Sequence, residues 1–291
     1  MAERRPRASE LAEQIAGLEP LDSVAEPIAS TVRDVLPGGP VKDALSGTWL
    51  GHALHPALQL APLGTWMSAV ILDLVGGKDA ESASDLLIGT GLLATVPTAA
   101  TGLSDYTDST MTSASVRRIG IVHAAANIAG TLLFASSLMA RTGGARGRGK
   151  LLALAGLGTV GVGGWLGGHL SYAEGVGVDV TAFDDYPDDW TRVIAEADLT
   201  DGEPYRAEVG GVPVMVVRDG GQVYALADHC SHRGGPLSGG EIADGCVTCP
   251  WHGSRFRLSD GSVERGPATY PQPALDVRVS GGMVEVRDRA P

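Results

Sequence analysis

Two short segments of this chain combine cysteine and histidine at spacings suited to binding an inorganic centre. A Cys-Ser-His segment begins at Cys230, and a Cys-Pro-Trp-His segment begins at Cys249. Thiolates prefer zinc and iron–sulfur centres, and imidazoles bind zinc or iron. Two kinds of site therefore fit. One is a structural zinc site, and the other is a two-iron cluster in which the cysteines bind one iron and the histidines bind the other.

The spacing within each segment separates these two kinds of site. Structural zinc sites usually pair like with like, as C-x2-4-C and H-x3-5-H. Here each segment supplies one cysteine and one histidine, so the spacing favours the iron–sulfur cluster. Glycines at 234–235 and 239–240 supply the tight backbone turns that such loops need.

The residues around the two segments carry a resemblance to a known family. They include His-Arg-Gly-Gly-Pro-Leu-Ser at 232–238, Gly-Ser-Arg-Phe at 253–256, Asp-Gly at 260–261 and Gly-Pro-Ala at 266–268. From about Asp189 to Arg287 the chain closely resembles Rieske [2Fe-2S] domains of the ferredoxin type. The resemblance implies that Cys230 and Cys249 bind one iron and that His232 and His252 bind the other.

Departures from the respiratory-complex subclass of this family concern the surroundings of the cluster. That subclass has two further cysteines that bridge the cluster loops, where this chain has Gly235 and Trp251. It also has a tyrosine that donates to a ligand sulfur, where this chain has Phe256. Ser254 keeps its place and could still donate to a sulfide, and Pro267 matches the proline of a loop over the cluster. Because fewer donors to the sulfurs lower the reduction potential, we expect a potential of about −150 mV rather than about +300 mV.

The composition of the chain bears on its partners and its compartment. A formal net charge of −12 over 291 residues argues against nucleic-acid binding. Three cysteines, two of them in the segments above, leave no disulfide framework and favour a reducing compartment. The twin arginine Arg4-Arg5 is not closely followed by an apolar stretch, so we expect no export signal.

Four long segments contain no Asp, Glu, Lys or Arg, and each is near the length of about 20 residues that spans a bilayer as a helix. They are Ala53–Leu72, Leu86–Ser104, Ile119–Ala140 and Leu151–Ala173. Four such segments in succession predict a four-helix transmembrane domain over residues 51–173. Parts of it, His55-Pro56, Gly102–Asp105 and Gly167–His169, resemble a family of small four-helix bacterial membrane domains of unknown function.

The remaining segments complete the expected domain organisation. Residues 1–50 are polar with two short apolar stripes, which fit helices lying on a membrane or helices packing on the protein itself. Residues 174–188 form an acidic linker, interpreted as a solvated spacer, with an acidic docking surface for a basic partner as the alternative. Residues 189–291 carry strand and hairpin signals at 212–227 and 276–287. The expected fold is α + β in separate domains, with a four-helix transmembrane bundle followed by a small antiparallel β Rieske domain.

Ionisable residues near the ends of the predicted spans indicate a second site. Four spans return the chain to its starting side of the bilayer, and the groups that are costly to bury, His55, Asp105, His123 and His169, cluster toward that side. Imidazoles on two helices could bind a haem or a metal ion, or hydrogen-bond a quinone. The alternative is that these groups lie at headgroup level and bond to each other or to water.

The basic residues give conflicting indications of orientation. Arg141, Arg146, Arg148 and Lys150 lie in the loop opposite the Rieske domain and, by the positive-inside rule, would place that domain outside the cytoplasm. Basic residues on the Rieske side, the missing export signal and the missing disulfide favour the reverse. We expect a multi-pass membrane protein with four spans and a cytoplasmic Rieske domain.

The expected function is that of a membrane-anchored, one-electron Rieske carrier between a reductase or quinone pool and an acceptor oxidoreductase. It would be a component of an oxidoreductase system rather than a stand-alone catalyst. Its expected partners are the lipid bilayer, a redox protein that docks at the cluster tip, and a quinone. Two alternatives remain, a redox-sensing or regulatory membrane protein and the ferredoxin component of a separate Rieske oxygenase system.

Overall fold

The computed structural model describes residues 7–110 and 113–289, which divide into two compact units. The helical unit contains the chain up to Val35 and Leu54–Val176, and the second unit contains Leu36–Ala53 and the chain from Gly177 onward. A helical part followed by an antiparallel β part confirms the predicted fold class. The sequence gives no indication that Leu36–Ala53 groups with the β-strands. Arg4 and Arg5, used above to judge export, lie outside the described residues.

The described helices differ in length and in burial. They are α1 (Arg7–Ala16), α2 (Asp22–Val35), α3 (Pro40–Ser46), α4 (Leu54–Leu58), α5 (Leu60–Val75), α6 (Glu81–Ser109), α7 (Ala114–Thr142) and α8 (Arg146–Tyr172). Helix α1 buries Ala12 and Ile15, and α2 buries Ala25 and Ala29. The carboxylate that opens α2, Asp22, accepts hydrogen bonds from arginines of α7. Both N-terminal helices therefore pack on the protein itself.

Four helical stretches are long and apolar enough to cross a bilayer. They are Leu54–Val75, which comprises α4 and α5, Lys78–Ser109, Ala114–Thr142 and Arg146–Tyr172. The four predicted spans lie within them except for their outermost residues Ala53 and Ala173. This agreement supports a membrane location for the helical unit.

Helices α7 and α8 pack along a seam of small residues. On α8, Gly149, Gly156 and Gly163 recur every seven residues and face α7. A Cβ on Gly156 would lie 3.0 Å from the ring of Phe134, so the two helices approach closely. Positions of α7 that alternate by four and three residues are buried or half-buried, and Ile119 is buried beside them. The alternating positions are Val116, Gly120, His123, Asn127, Gly130, Phe134, Ser137 and Arg141. This spacing is typical of a left-handed pair of helices, and small residues let membrane helices approach each other.

A buried ionic cluster joins the α5–α6 and α7–α8 turns. The Arg141 side chain is 0% exposed and pairs with Asp73, which is 4% exposed, and with Asp85 at 3.0 Å. Arg146 pairs with Glu81 at 3.1 Å. The expectation that costly ionisable groups cluster only toward the Rieske side is therefore wrong, because the carboxylates that neutralise Arg141 lie on other helices and cannot be paired with it by local spacing.

Two antiparallel sheets form the second unit. Its strands are β1 (Thr191–Ala195), β2 (Tyr205–Val209), β3 (Val212–Asp219), β4 (Gln222–Ala227), β5 (Glu241–Ala243), β6 (Cys246–Thr248), β7 (Arg255–Arg257), β8 (Val263–Arg265), β9 (Ala274–Ser280) and β10 (Met283–Arg287). The six-stranded sheet has the order β1-β10-β9-β4-β3-β2, and the four-stranded sheet has the order β5-β6-β7-β8. The predicted hairpins are confirmed as β3–β4 and β9–β10.

Strand β3 separates two hydrophobic clusters because successive side chains of a strand point to opposite faces. Val214 and Val216 belong to one cluster, and Met215 and Val217 belong to the other, which also contains Phe256. All four β3 side chains are fully buried. The second cluster contains both cysteines of the predicted centre, so the loops that carry them rest on an apolar base.

The acidic linker packs along the β unit. Val180 N–H donates to Ser231 O at 3.1 Å, and Asp288 N–H donates to Pro187 O at 2.8 Å. Tyr186 is buried in the hydrophobic cluster beside β3. The interpretation of the linker as a solvated spacer is therefore wrong. Its many acidic residues suggested a solvated segment, but its main chain and Tyr186 pack on the β unit.

Candidate metal centre

The two cysteine–histidine segments lie in loops that leave the ends of strands. The first loop connects β4 to a 3-10 turn, and the second connects β6 to β7. The loops bring together Cys230 and Cys249, which are 1% and 2% exposed, with their thiols in hydrogen-bonding contact. The rings of His232 and His252 meet edge to face with centroids 5.0 Å apart. The structure thus brings the cysteines together and the histidines together.

A glycine in the left-handed conformation closes each loop in the same way. Gly234 and Gly253 each follow the loop cysteine by four residues, and both have a φ of 74°. Gly234 N–H donates to Cys230 O at 2.8 Å, and Gly253 N–H donates to Cys249 O at 3.0 Å. Residues with a Cβ rarely adopt this conformation, so glycine is required at both positions.

Backbone N–H groups within the loops point at the cysteine sulfurs. Those of residues 232–233 stabilise a Cys230 thiolate, and those of 251–252 stabilise a Cys249 thiolate. The hydrogen bond from Cys230 lowers the pKa of the Cys249 thiol to about 7, against the effect of burial. The same hydrogen bond, together with burial, raises the pKa of the Cys230 thiol. One thiolate therefore forms near neutral pH, which suits metal binding.

The first histidine is held as a neutral imidazole. Burial lowers the pKa of His232 well below its ordinary value, and the positive charges of Arg233 and Lys42 act in the same direction. A neutral ring keeps a nitrogen lone pair at physiological pH, and this lone pair is what a metal ion binds.

A buried glutamine, whose role was not predicted, supports the first loop. The amide nitrogen of Gln272 donates to Ala227 O at 2.9 Å and to His229 O, while its oxygen accepts from Ser231 N–H at 2.9 Å. Asp228, also fully buried, accepts from a main-chain N–H of the same loop at 2.6 Å. Gln272 lies far along the chain from the residues it supports, so no local pattern could reveal it.

The predicted neighbours of the ligands lie around the loops. Ser254 is fully buried and its hydroxyl oxygen accepts from Ala268 N–H at 3.0 Å, so its own O–H can donate to a cluster atom. Phe256 is fully buried on β7 in the same hydrophobic cluster as the cysteines. Pro267 is buried in the loop between β8 and β9.

Gly235 and Trp251, which stand where a related subclass has bridging cysteines, contact each other. A Cβ on Gly235 would lie 2.9 Å from Cγ of Trp251 and 2.9 Å from Sγ of Cys249. The indole therefore packs on the glycine backbone and joins the two loops without a disulfide. A larger residue at position 235 would press on the ligand sulfur.

The arrangement of the donors discriminates between the two kinds of metal site. A structural zinc ion needs four ligands around a single point. Among residues 7–110 and 113–289, no group of three or more His, Cys, Asp or Glu side chains is placed to hold a single metal ion. A pair of sulfurs beside a pair of imidazoles is the donor set that a two-iron cluster uses.

The histidines of the helical unit are bonded to neighbouring helices. His55 Nδ1 lies 2.9 Å from Thr98 O, and His123 Nδ1 lies 2.8 Å from Gly163 O. A carbonyl oxygen only accepts, so Nδ1 carries the proton in both rings and Nε2 carries the lone pair. Asn127 Nδ2 lies 3.2 Å from Nε2 of His123.

The other two residues of the predicted second site are placed differently. His169 lies 3.9 Å from the Glu174 carboxylate and beside the ring of Trp165. Asp105 lies near the end of α6, in the turn that contains buried Ser104 and Thr107. The described structure therefore places the predicted second-site residues in separate helix contacts and does not arrange three of them for one metal ion.

Comparison with known proteins gives matches for both parts of the chain. Residues 189–278 match the family described as Rieske [2Fe-2S] domain, and residues 51–180 match the family described as predicted membrane protein (DUF2231). The anthranilate 1,2-dioxygenase ferredoxin subunit of Burkholderia cepacia is 35% identical over 98 residues, which are 34% of this chain and 91% of that protein.

Two further relatives match the same part of the chain. Apoptosis-inducing factor 3 of Mus musculus is 36% identical over 90 residues, 31% of this chain, and the chain spans only 15% of that protein's length. The solved ferredoxin of carbazole 1,9a-dioxygenase from Nocardioides aromaticivorans IC177 is 35% identical, with a TM-score of 0.33 over 34% of this chain and 98% of that chain. The chain belongs to the Rieske [2Fe-2S] family, with a ferredoxin-type domain that follows a membrane domain of the DUF2231 family.

Proposed function

We propose that this protein is a membrane-anchored electron carrier that takes one electron at a time from a reductase or a quinone pool and delivers it to an acceptor oxidoreductase. Cys230 and Cys249 bind one iron of a [2Fe-2S] cluster in this proposal, and His232 and His252 bind the other. The bound cluster supplies a one-electron redox couple. The protein then serves as a component of an oxidoreductase system and not as a stand-alone catalyst.

The single observation that carries this proposal is the pairing of like ligands across two loops. Each loop contributes one sulfur and one imidazole, yet the fold brings sulfur to sulfur and ring to ring. The ferredoxin subunits among the relatives are components of dioxygenases by name, which supports electron transfer as the role of the domain.

The chain's own residues set the environment of the cluster. Two main-chain N–H groups point at each cysteine sulfur and stabilise the negative charge that reduction adds. The cysteines are buried, whereas His232 and His252 are only half-buried. A redox partner therefore docks at the histidine edge, where electrons enter and leave over the shortest distance.

The helical unit anchors the carrier in the bilayer, and we place the Rieske domain on the cytoplasmic side. Anchoring raises the local concentration of the carrier near a membrane oxidoreductase or a quinone pool. The relatives that are ferredoxin components of dioxygenases favour a second candidate, delivery of electrons to a separate oxygenase. A redox-sensing role would instead require a partner that binds only one redox state.

A cofactor in the helical unit is a separate part of this proposal. We propose that His55 and His123 are the groups that would contact a quinone or a haem, since a carbonyl orients each ring with its lone pair on Nε2. At His123 the cofactor would replace Asn127 as the partner of that nitrogen. A Soret band in the purified protein that disappears in His123→Ala would support the haem. Extraction of the native protein without haem or quinone would remove this part of the function.

Ligand substitutions with matched controls test the main function. His232→Ala and Cys249→Ser should each abolish the Rieske paramagnetic signal of the reduced, detergent-solubilised protein. His229→Ala and Cys246→Ser change residues of the same types outside the proposed ligand set and should keep the signal at full intensity. Loss of the signal in a control, or its survival in a ligand variant, would show that the assignment of the ligands is wrong.

A further inference from the structure

A segment far from the cluster-binding loops in sequence belongs to the same compact unit. Residues 40–52, which we call the strap, comprise α3 and a 3-10 turn at Thr48–Leu50. Gly47 and Gly51, with φ of 86° and 68°, turn the chain at both ends of the 3-10 turn. The match to the Rieske family begins only at residue 189, so the strap lies outside it.

The strap contacts the loop at 266–270, which joins β8 to β9 and contains Pro267. Thr48 Oγ1 donates to Ala268 O at 3.2 Å. Asp43 Oδ1 lies against Gly266, and burial raises the pKa of the Asp43 carboxyl group. The His52 ring meets the Tyr270 ring edge to face, with centroids 6.1 Å apart. Three residues of the strap therefore contact three residues of one loop.

The same loop is bonded to the cluster-binding loops on its other side. Ala268 N–H donates to the hydroxyl oxygen of Ser254, at 3.0 Å, and Ser231 Oγ donates to Tyr270 O at 2.9 Å. Ser231 is the residue between Cys230 and His232, and Ser254 follows the second ligand pair by two residues. The loop at 266–270 thus lies between the strap and both ligand segments.

The strap is packed closely enough to fix the position of this loop. Gly266 has no room for a Cβ, because Thr48 Oγ1 would overlap it and Asp43 Oδ1 would lie 2.9 Å away. Ser46 and Lys42 of the strap are buried.

We propose that the strap is a third wall of the cluster site, in which Asp43 and Thr48 are positioning residues that hold the 266–270 loop against Ser254. This inference rests on the proposed function, because it concerns a loop beside the cluster. The match to the Rieske family covers residues 189–278, so the strap reaches the cluster site from outside the matched domain. The carrier therefore controls its cluster with a segment that lies outside its matched Rieske domain.

Release of the strap should have two measurable effects on the cluster. Without Thr48 and Asp43, the 266–270 loop moves away from Ser254, so the hydroxyl donates less well to the cluster and the reduction potential falls. Solvent also reaches the cluster more easily, so a chelator should remove iron roughly fivefold faster, as expected for the loss of one hydrogen bond.

The test compares full-length, detergent-solubilised variants by redox titration of the paramagnetic signal and by the rate of iron loss to a chelator. Thr48→Val with Asp43→Ala should lower the potential and speed the loss of iron. Thr200→Val, at an exposed site, and Val41→Ala, on the exposed face of the strap, should match the wild type in both measurements. The control variants separate release of the strap from a general effect of substitution.

Gly266→Ala disrupts the contact between the strap and the 266–270 loop through a change in the loop. It should also lower the potential and speed the loss of iron. Its effect should shrink when Thr48 is already alanine, because the clash with Oγ1 is then absent. Wild-type potential and iron-loss rate in the strap double variant would overturn the strap proposal while the Rieske signal still supported the electron carrier. Absence of a Rieske signal from the wild type would instead overturn the electron carrier itself.

Discussion

Each ligand loop depends on one glycine that no other residue can replace without strain. A Cβ on Gly234 or Gly253 meets only ordinary contacts at 3.5 and 3.6 Å, so the cost of alanine arises from the left-handed backbone alone. That cost is roughly 1–2 kcal/mol per residue. Gly234→Ala and Gly253→Ala should therefore open the closing hydrogen bond and lower the iron and sulfide content per protein.

A glycine outside the site serves as a control that distinguishes the effect of backbone strain on stability from the effect on cluster binding. Gly220, with a φ of 59° in the β3–β4 turn, has open space around it. Gly220→Ala should lower the thermal stability by a similar amount and leave the iron content unchanged. Equal iron loss in all three variants would contradict the role assigned to the loop glycines.

Donors to the cluster sulfurs set the reduction potential at the residue scale. Ser254→Ala removes an O–H donor and should lower the potential by roughly 60 mV, the one-electron equivalent of a hydrogen bond to a charged group. Phe256→Tyr adds a donor at the position where the respiratory subclass has one, and should raise the potential. Phe183→Tyr, at a side chain 90% exposed, is the control and should leave the potential unchanged. A redox titration that shifted Ser254→Ala upward would reject this account.

The ligands were predictable from sequence because the information is local. Cys230 and His232 are two residues apart, and Cys249 and His252 are three apart, so spacing alone exposes each pair. The support from Gln272 was not predictable, because a glutamine has no distinctive spacing and its contacts depend on how β4 and β9 pair.

At the scale of helices, Arg141 of α7 joins the end of α5 to the first turns of α6 through ion pairs. It contacts Asp73 and Asp85 and donates through Nε to Ser137 at 3.1 Å. Arg141→Ala leaves the buried carboxylate of Asp73 without its cation and should lower the unfolding free energy by about 3–5 kcal/mol. Arg148→Ala, an exposed arginine on α8, should change it by less than about 0.5 kcal/mol. Thermal unfolding in detergent measures the stability of both variants. Equal unfolding temperatures for the two variants would contradict the stabilising role of Arg141.

The extents of the spans were predictable because they follow from apolar composition. The packing of the helices against one another was not predicted. Exclusion of charged residues placed Arg141 in a loop, whereas it lies within α7. The alternation of four and three residues along α7 was present in the sequence and marks His123 and Asn127 as seam positions. Polar seam residues often fix the register of a helix pair, which gives His123 a structural role beside the proposed cofactor role.

At the scale of strands, Glu285 of β10 lies between arginines of both neighbouring strands. It pairs with Arg192 on β1 and with Arg278 on β9, and the hydrogen bond from Arg278 is the main reason that its pKa is lowered. The stabilisation is therefore present above about pH 4.3, the ordinary value for glutamate, and is lost as pH falls through the lower folded pKa.

A pH series of thermal unfolding should reveal this contribution. The β unit of the wild type should lose stability below about pH 4.3, and Glu285→Gln should flatten that part of the curve. Glu208→Gln removes a carboxylate from an exposed position of β2 and serves as the control for net charge. The same loss of thermal stability below about pH 4.3 in the wild type and in Glu285→Gln would exclude this mechanism.

At the scale of the whole molecule, orientation decides which partners the carrier meets. The basic residues that argue for an external Rieske domain include Arg141 and Arg146, and both are paired with carboxylates within the helical unit. The basic residues on the Rieske side argue for the opposite orientation, and we propose that the Rieske domain is cytoplasmic. Protease added to intact cells should therefore spare the β unit, and protease added to inverted vesicles should cut it. Cleavage in intact cells would reverse the assignment.

The order of the domains was predictable from composition. The packing of the strap was not, because its contacts join residues 48 and 268, which are far apart in the chain. Short apolar stripes in residues 1–50 reveal helices but not the loop on which they pack. Long-range contacts of this kind need the fold itself.

Electron paramagnetic resonance of the reduced, native, detergent-extracted protein tests the central claim most directly. The account predicts the signal of a [2Fe-2S] cluster with two cysteine and two histidine ligands, with iron and sulfide in equal amounts. A colourless protein that contains one zinc ion per chain, or the signal of a cluster bound only by cysteines, would contradict it.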